Sequence, residues 1–154
     1  MNIITTHVKF LVAFFSLIVL WQARVVASPN ADLICGKWMS AEKNLTVDIY
    51  RVGNEFRARI TWFKGEPGRP METWLDSKNP NPALRKRKVL GTEILRGLEY
   101  EPGSNSWEDG LVYDAKHGHE WDAAAYIDEG GLLHVRGYWH FKIFGKTMVF
   151  HRVN

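Results

Sequence analysis

The chain has 154 residues, a formal charge of +3 at pH 7 and one cysteine. A length of this order is enough for one domain with a hydrophobic core. The lone Cys35 excludes an intrachain disulfide as the element that holds the fold together.

The first 27 residues differ in kind from the rest. Lys9 precedes an uncharged, almost wholly apolar run from 10 to 21, and the segment ends in Val25, Val26 and Ala27. A charged start, an apolar middle and a small residue at the end are typical of a cleavable secretory signal. The alternative is a membrane anchor, but a spanning helix needs about 20 apolar residues. We therefore expect an exported protein, periplasmic or extracellular, with no transmembrane segment after cleavage.

Cleavage after Ala27 also changes the charge, because it removes Lys9 and Arg24 and lowers the formal value from +3 to +1. Phosphate neutralisation needs a concentrated positive field, so a near-neutral mature chain argues against nucleic acid as a partner. The basic run 85–88 could attract an anionic group. A solvated loop end is the alternative, and we favour it.

After the signal, apolar and polar residues alternate, and turn residues interrupt them about every eight to twelve positions, as in barrels and sandwiches. The clearest hairpin turns at Gly53-Asn54. It predicts apolar pairs on one face: Leu45 with Trp62, Val47 with Ile60, and Ile49 with Ala58. It predicts polar pairs on the other face: Asp48 with Arg59, and Thr46 with Thr61. Agreement of both faces supports this register.

The remaining strands follow the same alternation. A turn through 116–118 predicts that Tyr113 pairs with Trp121 and Leu111 with Ala123, and a turn through 128–131 precedes a strand over 132–139. Further strands are expected over 36–40, 89–100 and 146–153. The predicted fold is therefore all-β, a small closed antiparallel up-and-down barrel of about eight strands, which leaves no long edge exposed.

The segment from 65 to 88 breaks this alternation and contains four prolines. Long loops in compact domains are often lids or binding loops. A surface connection fixed by proline is the alternative. We expect one domain over 28–154, with this loop on its surface.

Several short motifs occur in a fixed order along the chain. They are Gly36-x-Trp38, Asn79-Pro80-x-Pro82-x-x-Arg85-x-Arg87-x-x-x-Gly91, Trp107-x-x-Gly110-x-x-Tyr113-Asp114-x-x-x-Gly118, Leu133-x-Val135-Arg136-Gly137-Tyr138, Phe144-Gly145 and Arg152-Val153. In this order they resemble the domain-of-unknown-function family 2147 of small exported bacterial proteins. The resemblance implies a lipocalin-like (calycin) barrel and no particular activity. Many members carry a cysteine pair near the first hairpin, where this chain has Val52 and Ala58.

Large aromatic residues are the first candidates for ligand contacts, because aromatics at a barrel mouth suit a flat apolar ligand or a sugar ring. The alternative is core packing, since a small barrel needs large inward side chains. We assign Trp38 to the core and leave Trp62 and Trp121 open. Ala123 and Ala125 alternate with Trp121. Together with Ala58, they would leave space that is either a cavity or filled by neighbours.

Arg136 stands out because it lies inside an otherwise apolar strand, and the sequence does not fix its face. A charge that points into a barrel needs a partner or a ligand carboxylate. The predicted lining of a ligand cavity is Trp62, Tyr113, Trp121, Arg136 and Tyr138.

No motif indicates catalysis or metal binding. His117 and His119 lie two apart, but carboxylates at ligand spacing do not accompany them. Cys35 has no identifiable base beside it, so a packed thiol is expected. We expect no enzyme activity, no metal and no cofactor.

Two functions remain open. One is a binding module for a small apolar or amphipathic ligand, and the other is a structural or envelope-interaction protein with a solidly packed barrel. The sequence selects neither the ligand nor the oligomeric state.

The exported protein should begin at Ser28, because the small-residue cleavage pattern ends at Ala27. Intact-mass measurement of protein collected outside the cytoplasm checks this. A mature chain that retains Met1 would contradict it.

Overall fold

The computed structural model describes residues 30–143 and 145–153. The predicted signal segment and its cleavage site lie outside the described residues. Within them, no helix has the length and apolar character needed to cross a membrane.

Eight strands follow one another along the chain: β1 (Gly36–Ser40), β2 (Leu45–Val52), β3 (Glu55–Phe63), β4 (Glu93–Glu101), β5 (Ser106–Asp114), β6 (His119–Ile127), β7 (Leu133–Tyr138) and β8 (Gly145–Arg152). Each strand pairs with the next, and β8 returns to pair antiparallel with β1. The predicted closed up-and-down barrel of eight strands is confirmed. Short 3-10 helices cover Ala31–Ile34, Met71–Thr73 and Pro82–Leu84.

The first hairpin has the predicted turn, and its register holds for most of its length. Asp48 faces Arg59 and forms an ion pair with it, with 2.9 Å between Oδ2 and Nη2. Near the end of the hairpin a β-bulge between Thr46 and Val47 shifts the register by one residue. The predicted pairs of Thr46 with Thr61 and of Leu45 with Trp62 are therefore wrong.

Two other details differ from prediction. The connection from β5 to β6 is one residue longer than expected, so Val112 instead of Tyr113 lies opposite Trp121. The fourth strand begins at Glu93 instead of Val89. The long segment between β3 and β4 thus covers 64–92.

One end of the barrel is filled. Trp38, Phe56, Leu98 and Trp107 are at most 1% exposed there. The indoles of Trp38 and Trp107 donate hydrogen bonds to backbone oxygens of the first 3-10 helix, at 2.8 and 3.0 Å. Because large side chains and this helix close one end, any open interior must lie toward the other end.

Gly53→Val should destabilise the fold by about 1–3 kcal/mol, since Gly53 has φ +62° and a β-branched residue disfavours that region. No atom lies within 4 Å of an added Cβ at this position, so the cost is one of backbone conformation. Urea titration measures it.

Asn54→Gly is the matched control and should change the free energy of unfolding by less than about 1 kcal/mol. Equal stability of Gly53→Val and the parent protein would contradict the positive-φ turn.

Candidate ligand-binding cavity

The open end of the barrel leads into a cavity of about 840 Å³. The connections 41–44, 64–92 and 115–118 and the β7–β8 connection surround this end, which we call the mouth. Alternate residues of a strand face the same side, and those that face inward here are mostly apolar. The apolar lining includes Leu45, Ile60, Phe63, Val89, Ile94, Val112, Trp121, Val135 and Met148.

The floor of the cavity is apolar as well. A crevice of about 50 Å³ lies there, bordered among others by Val47, Ala58 and Phe150. Ala123 and Ala125 are 0% and 2% exposed and belong to the packed core, where Ala125 lies opposite Trp107. Of the two alternatives for the space beside Ala123 and Ala125, neighbouring side chains fill it, and the cavity lies nearer the mouth.

Three of the five predicted lining residues border the cavity. Trp121 lines it from β6. Tyr113 and Tyr138 border it too, but they alternate with the inward residues Val112 and Gly137 on their strands. Their side chains therefore point away from the centre of the barrel.

The other two, Trp62 and Arg136, are outside the lining. The bulge in β2–β3 turns Phe63 into the cavity, and Trp62 is left 40% exposed. Nothing in the sequence marked Phe63, because the bulge interrupts the alternation that would have shown it.

The guanidinium of Arg136 forms hydrogen bonds with the connection from β7 to β8. Its guanidinium donates to the backbone oxygens of Lys142 and Ile143, the latter at 3.1 Å, and to Thr147 Oγ1 at 3.1 Å. Arg136 pairs with Thr147 across the strands, on the face opposite Val135 and Met148. Arg136 therefore stabilises this loop, and its guanidinium is not inside the barrel, where it could bind a ligand carboxylate.

The charged residues of the cavity lining lie at the mouth. Asp114 Oδ2 lies 2.6 Å from His117 Nδ1, and Glu42 accepts a hydrogen bond from Asn44 at 2.8 Å. Lys116 and Lys146 border the same opening and form no ion pair within the described part of the chain. Among the residues that the structure describes, the two acidic groups thus have side-chain partners, whereas the two lysines have no carboxylate partner.

A buried carboxylate ties the long segment to the rim. Asp76 is fully buried and accepts hydrogen bonds from Tyr113 Oη at 2.6 Å, Asn79 Nδ2 at 2.8 Å and Arg87 Nε at 2.8 Å. Arg85 donates from Nε to the Asn79 backbone oxygen at 2.8 Å. The two arginines of the basic run therefore bind within the protein, and the 64–92 segment is fixed against β5.

Burial and the carboxylate of Asp76 raise the pKa of Tyr113 to about 12. The buried, neutral phenol acts as a hydrogen-bond donor to Asp76. Tyr113 thus has a structural role at the rim that the sequence did not indicate, since its partner lies 37 residues away.

Over residues 30–143 and 145–153, no group of three or more His, Cys, Asp or Glu side chains could hold a metal ion. The pair of Asp114 and His117 is the closest approach to a catalytic arrangement at the mouth. The described lining contains no serine, threonine or cysteine that could serve it as a nucleophile.

The phenolate absorbance of Tyr113 should appear near a pKa of about 12, above that of free tyrosine, because burial disfavours the charged form and ionisation removes the hydrogen bond to Asp76. The titration difference between the parent protein and Tyr113→Phe isolates this group. In Asp76→Asn the midpoint should fall below that of the parent protein, because the carboxylate no longer adds to the effect of burial. A midpoint at or below 10 in the parent would contradict the buried contact.

The comparisons with known proteins agree with this architecture. One solved structure is similar with a TM-score of 0.66 and 22% identity, covering 78% of this chain and 82% of its own. It is protein HP1028 from the human pathogen Helicobacter pylori, which is described as belonging to the lipocalin family. The comparison with curated proteins found no match. The model of a family described as uncharacterized proteins conserved in bacteria, DUF2147, matches residues 36–152. Since this match covers all eight described strands, the chain belongs to the DUF2147 family.

Proposed function

We propose that this protein is an exported binding module that holds a small apolar or amphipathic ligand inside its barrel. The observation that carries the proposal is the cavity of about 840 Å³, which is open at one end and closed at the other. Ligand sites in proteins are mostly apolar concavities of about 300–1,000 Å³.

The walls of the cavity favour an apolar occupant. Water among side chains such as Ile94, Val112 and Met148 finds few hydrogen-bond partners. Its replacement by an apolar group is favourable by about 25 cal/mol for each Å² of apolar surface removed from water.

The distribution of charge favours an orientation. The floor is apolar, whereas Glu42, Asp114, Lys116, His117 and Lys146 all lie at the mouth. An amphipathic ligand would therefore place its apolar part on the floor and its polar group beside the mouth, where that group stays hydrated.

Two observations weigh against the other functions. In a structural protein with a solidly packed barrel, side chains would be expected to fill the interior, because protein interiors are close-packed. Catalysis by the pair of Asp114 and His117 would commonly use a hydroxyl or thiol nucleophile, and the described lining contains no serine, threonine or cysteine. Binding without chemistry is the function that this cavity supports.

Met148→Trp should block the cavity, because Met148 lines both the cavity and the crevice on its floor. We expect the affinity for the uncharged dye Nile red to fall by about tenfold or more, equivalent to at least ~1.4 kcal/mol. The free energy of unfolding should change by less than about 1.5 kcal/mol, since the added atoms enter open space. Fluorescence titration and urea unfolding measure the two effects.

Val149→Trp is the matched control, because Val149 neighbours Met148 on β8 and faces the opposite side. It should leave dye affinity unchanged. Equal affinities in the two variants, or a parent protein that binds no dye, would overturn the binding proposal.

A further inference from the structure

The connection from β7 to β8 exposes three large apolar side chains within five residues. Trp139 is 62% exposed, Phe141 66% and Ile143 77%. Clustered exposed apolar groups on a soluble protein mark sites of interaction with a protein or a membrane. We call residues 139–143 the docking loop.

Side chains of the barrel strands hold the docking loop in place. Arg136 donates hydrogen bonds to the backbone oxygens of Lys142 and Ile143. Lys142 Nζ forms an ion pair with Glu108 of β5. These contacts satisfy the polar groups of the loop from the barrel side, so its apolar side chains remain turned toward solvent.

The docking loop is continuous with the mouth of the cavity. The ring of Trp139 meets that of Trp121 edge to face, with 5.6 Å between their centroids. Trp121 lines the cavity, and Gly145 and Lys146, which follow the loop, also border it. A surface that covers the loop would therefore lie beside the opening.

We propose that the docking loop inserts into the interfacial layer of a lipid bilayer and holds the mouth of the barrel at the membrane surface. Tryptophan and other large apolar side chains are favourable at the level of the lipid headgroups. Projecting side chains need no complementary pocket there, because lipids rearrange around them.

The charges beside the loop fit the same partner. Lys116 and Lys146 border the mouth without ion pairs in the described part of the chain, and an anionic lipid surface attracts such groups. A second copy of the chain fits less well, since a two-fold contact between docking loops would bring the lysines of both copies together. This inference does not depend on a ligand in the cavity.

Flotation with vesicles tests the proposal on the mature protein. The parent should bind phosphatidylcholine vesicles weakly and vesicles containing phosphatidylglycerol more strongly. The double variant Phe141→Ser/Ile143→Ser should lose about tenfold or more of the binding to both, because it removes the apolar surface that inserts. Unchanged thermal unfolding would show that the variant is folded.

A control variant removes two exposed apolar side chains from the opposite end of the barrel. Leu33 and Leu132 are 51% and 38% exposed, and they lie beside the closed end. Leu33→Ser/Leu132→Ser should bind vesicles within about twofold of the parent. Lys116→Gln and Lys146→Gln should each weaken binding to the anionic vesicles alone, by about fivefold at low salt.

Three results would overturn the proposal. The first is a parent protein that does not float with either vesicle. The second is equal loss of binding in the two double variants. The third is a dimer of the parent, seen by sedimentation equilibrium, that Phe141→Ser/Ile143→Ser dissociates, because a second copy would then cover the loop.

Discussion

The pairing of β8 with β1 is the constraint on which the rest of the structure depends. It closes an eight-stranded sheet, and the strand number of a barrel largely sets the width of its interior. Trp38 lies opposite Arg152 in this pairing, and the Arg152 guanidinium lies 4.3 Å from the centre of the Trp38 ring. The same guanidinium donates to the Cys35 backbone oxygen at 2.7 Å. Closure of the sheet and closure of one end are therefore joined, and the interior volume that remains opens at the other end.

The sequence predicted what short-range rules control. The alternation along the strands predicted the barrel. The turn at Gly53 and the opposite charges of Asp48 and Arg59 predicted most of the register of the hairpin between β2 and β3. The bulge beside Thr46 escaped prediction, because it depends on how the strand bends into a closed barrel and no local residue marks it. That single extra residue exchanges Trp62 for Phe63 in the lining. A one-residue error in a strand thus becomes an error in the candidate site.

The other differences concern contacts between neighbouring strands and contacts made by loops, which the alternation along a single strand does not show. The sequence left open whether the space beside Ala125 is empty or filled. Trp107 lies opposite Ala125 on the neighbouring strand, and alternation within one strand cannot show this. Arg136 was predicted to line the cavity, but it faces outward and donates to backbone oxygens of the docking loop. The path of a loop is not encoded in local periodicity. Asp76 gave no signal for the same reason, since its partners come from three places in the chain.

Two arginines outside the cavity help to fix the segments that surround its mouth. Arg87 and Tyr113 of β5 both donate to the carboxylate of Asp76, which fixes the long segment on one side. Arg136 fixes the docking loop on another. Both sides of the opening are thus held by hydrogen bonds within the protein before any ligand is present. A preformed opening avoids the entropic cost of ordering loops on binding. The affinity of the cavity should then depend chiefly on the apolar surface that a ligand buries, and a bilayer at the docking loop would supply amphipathic molecules to an opening that is already shaped.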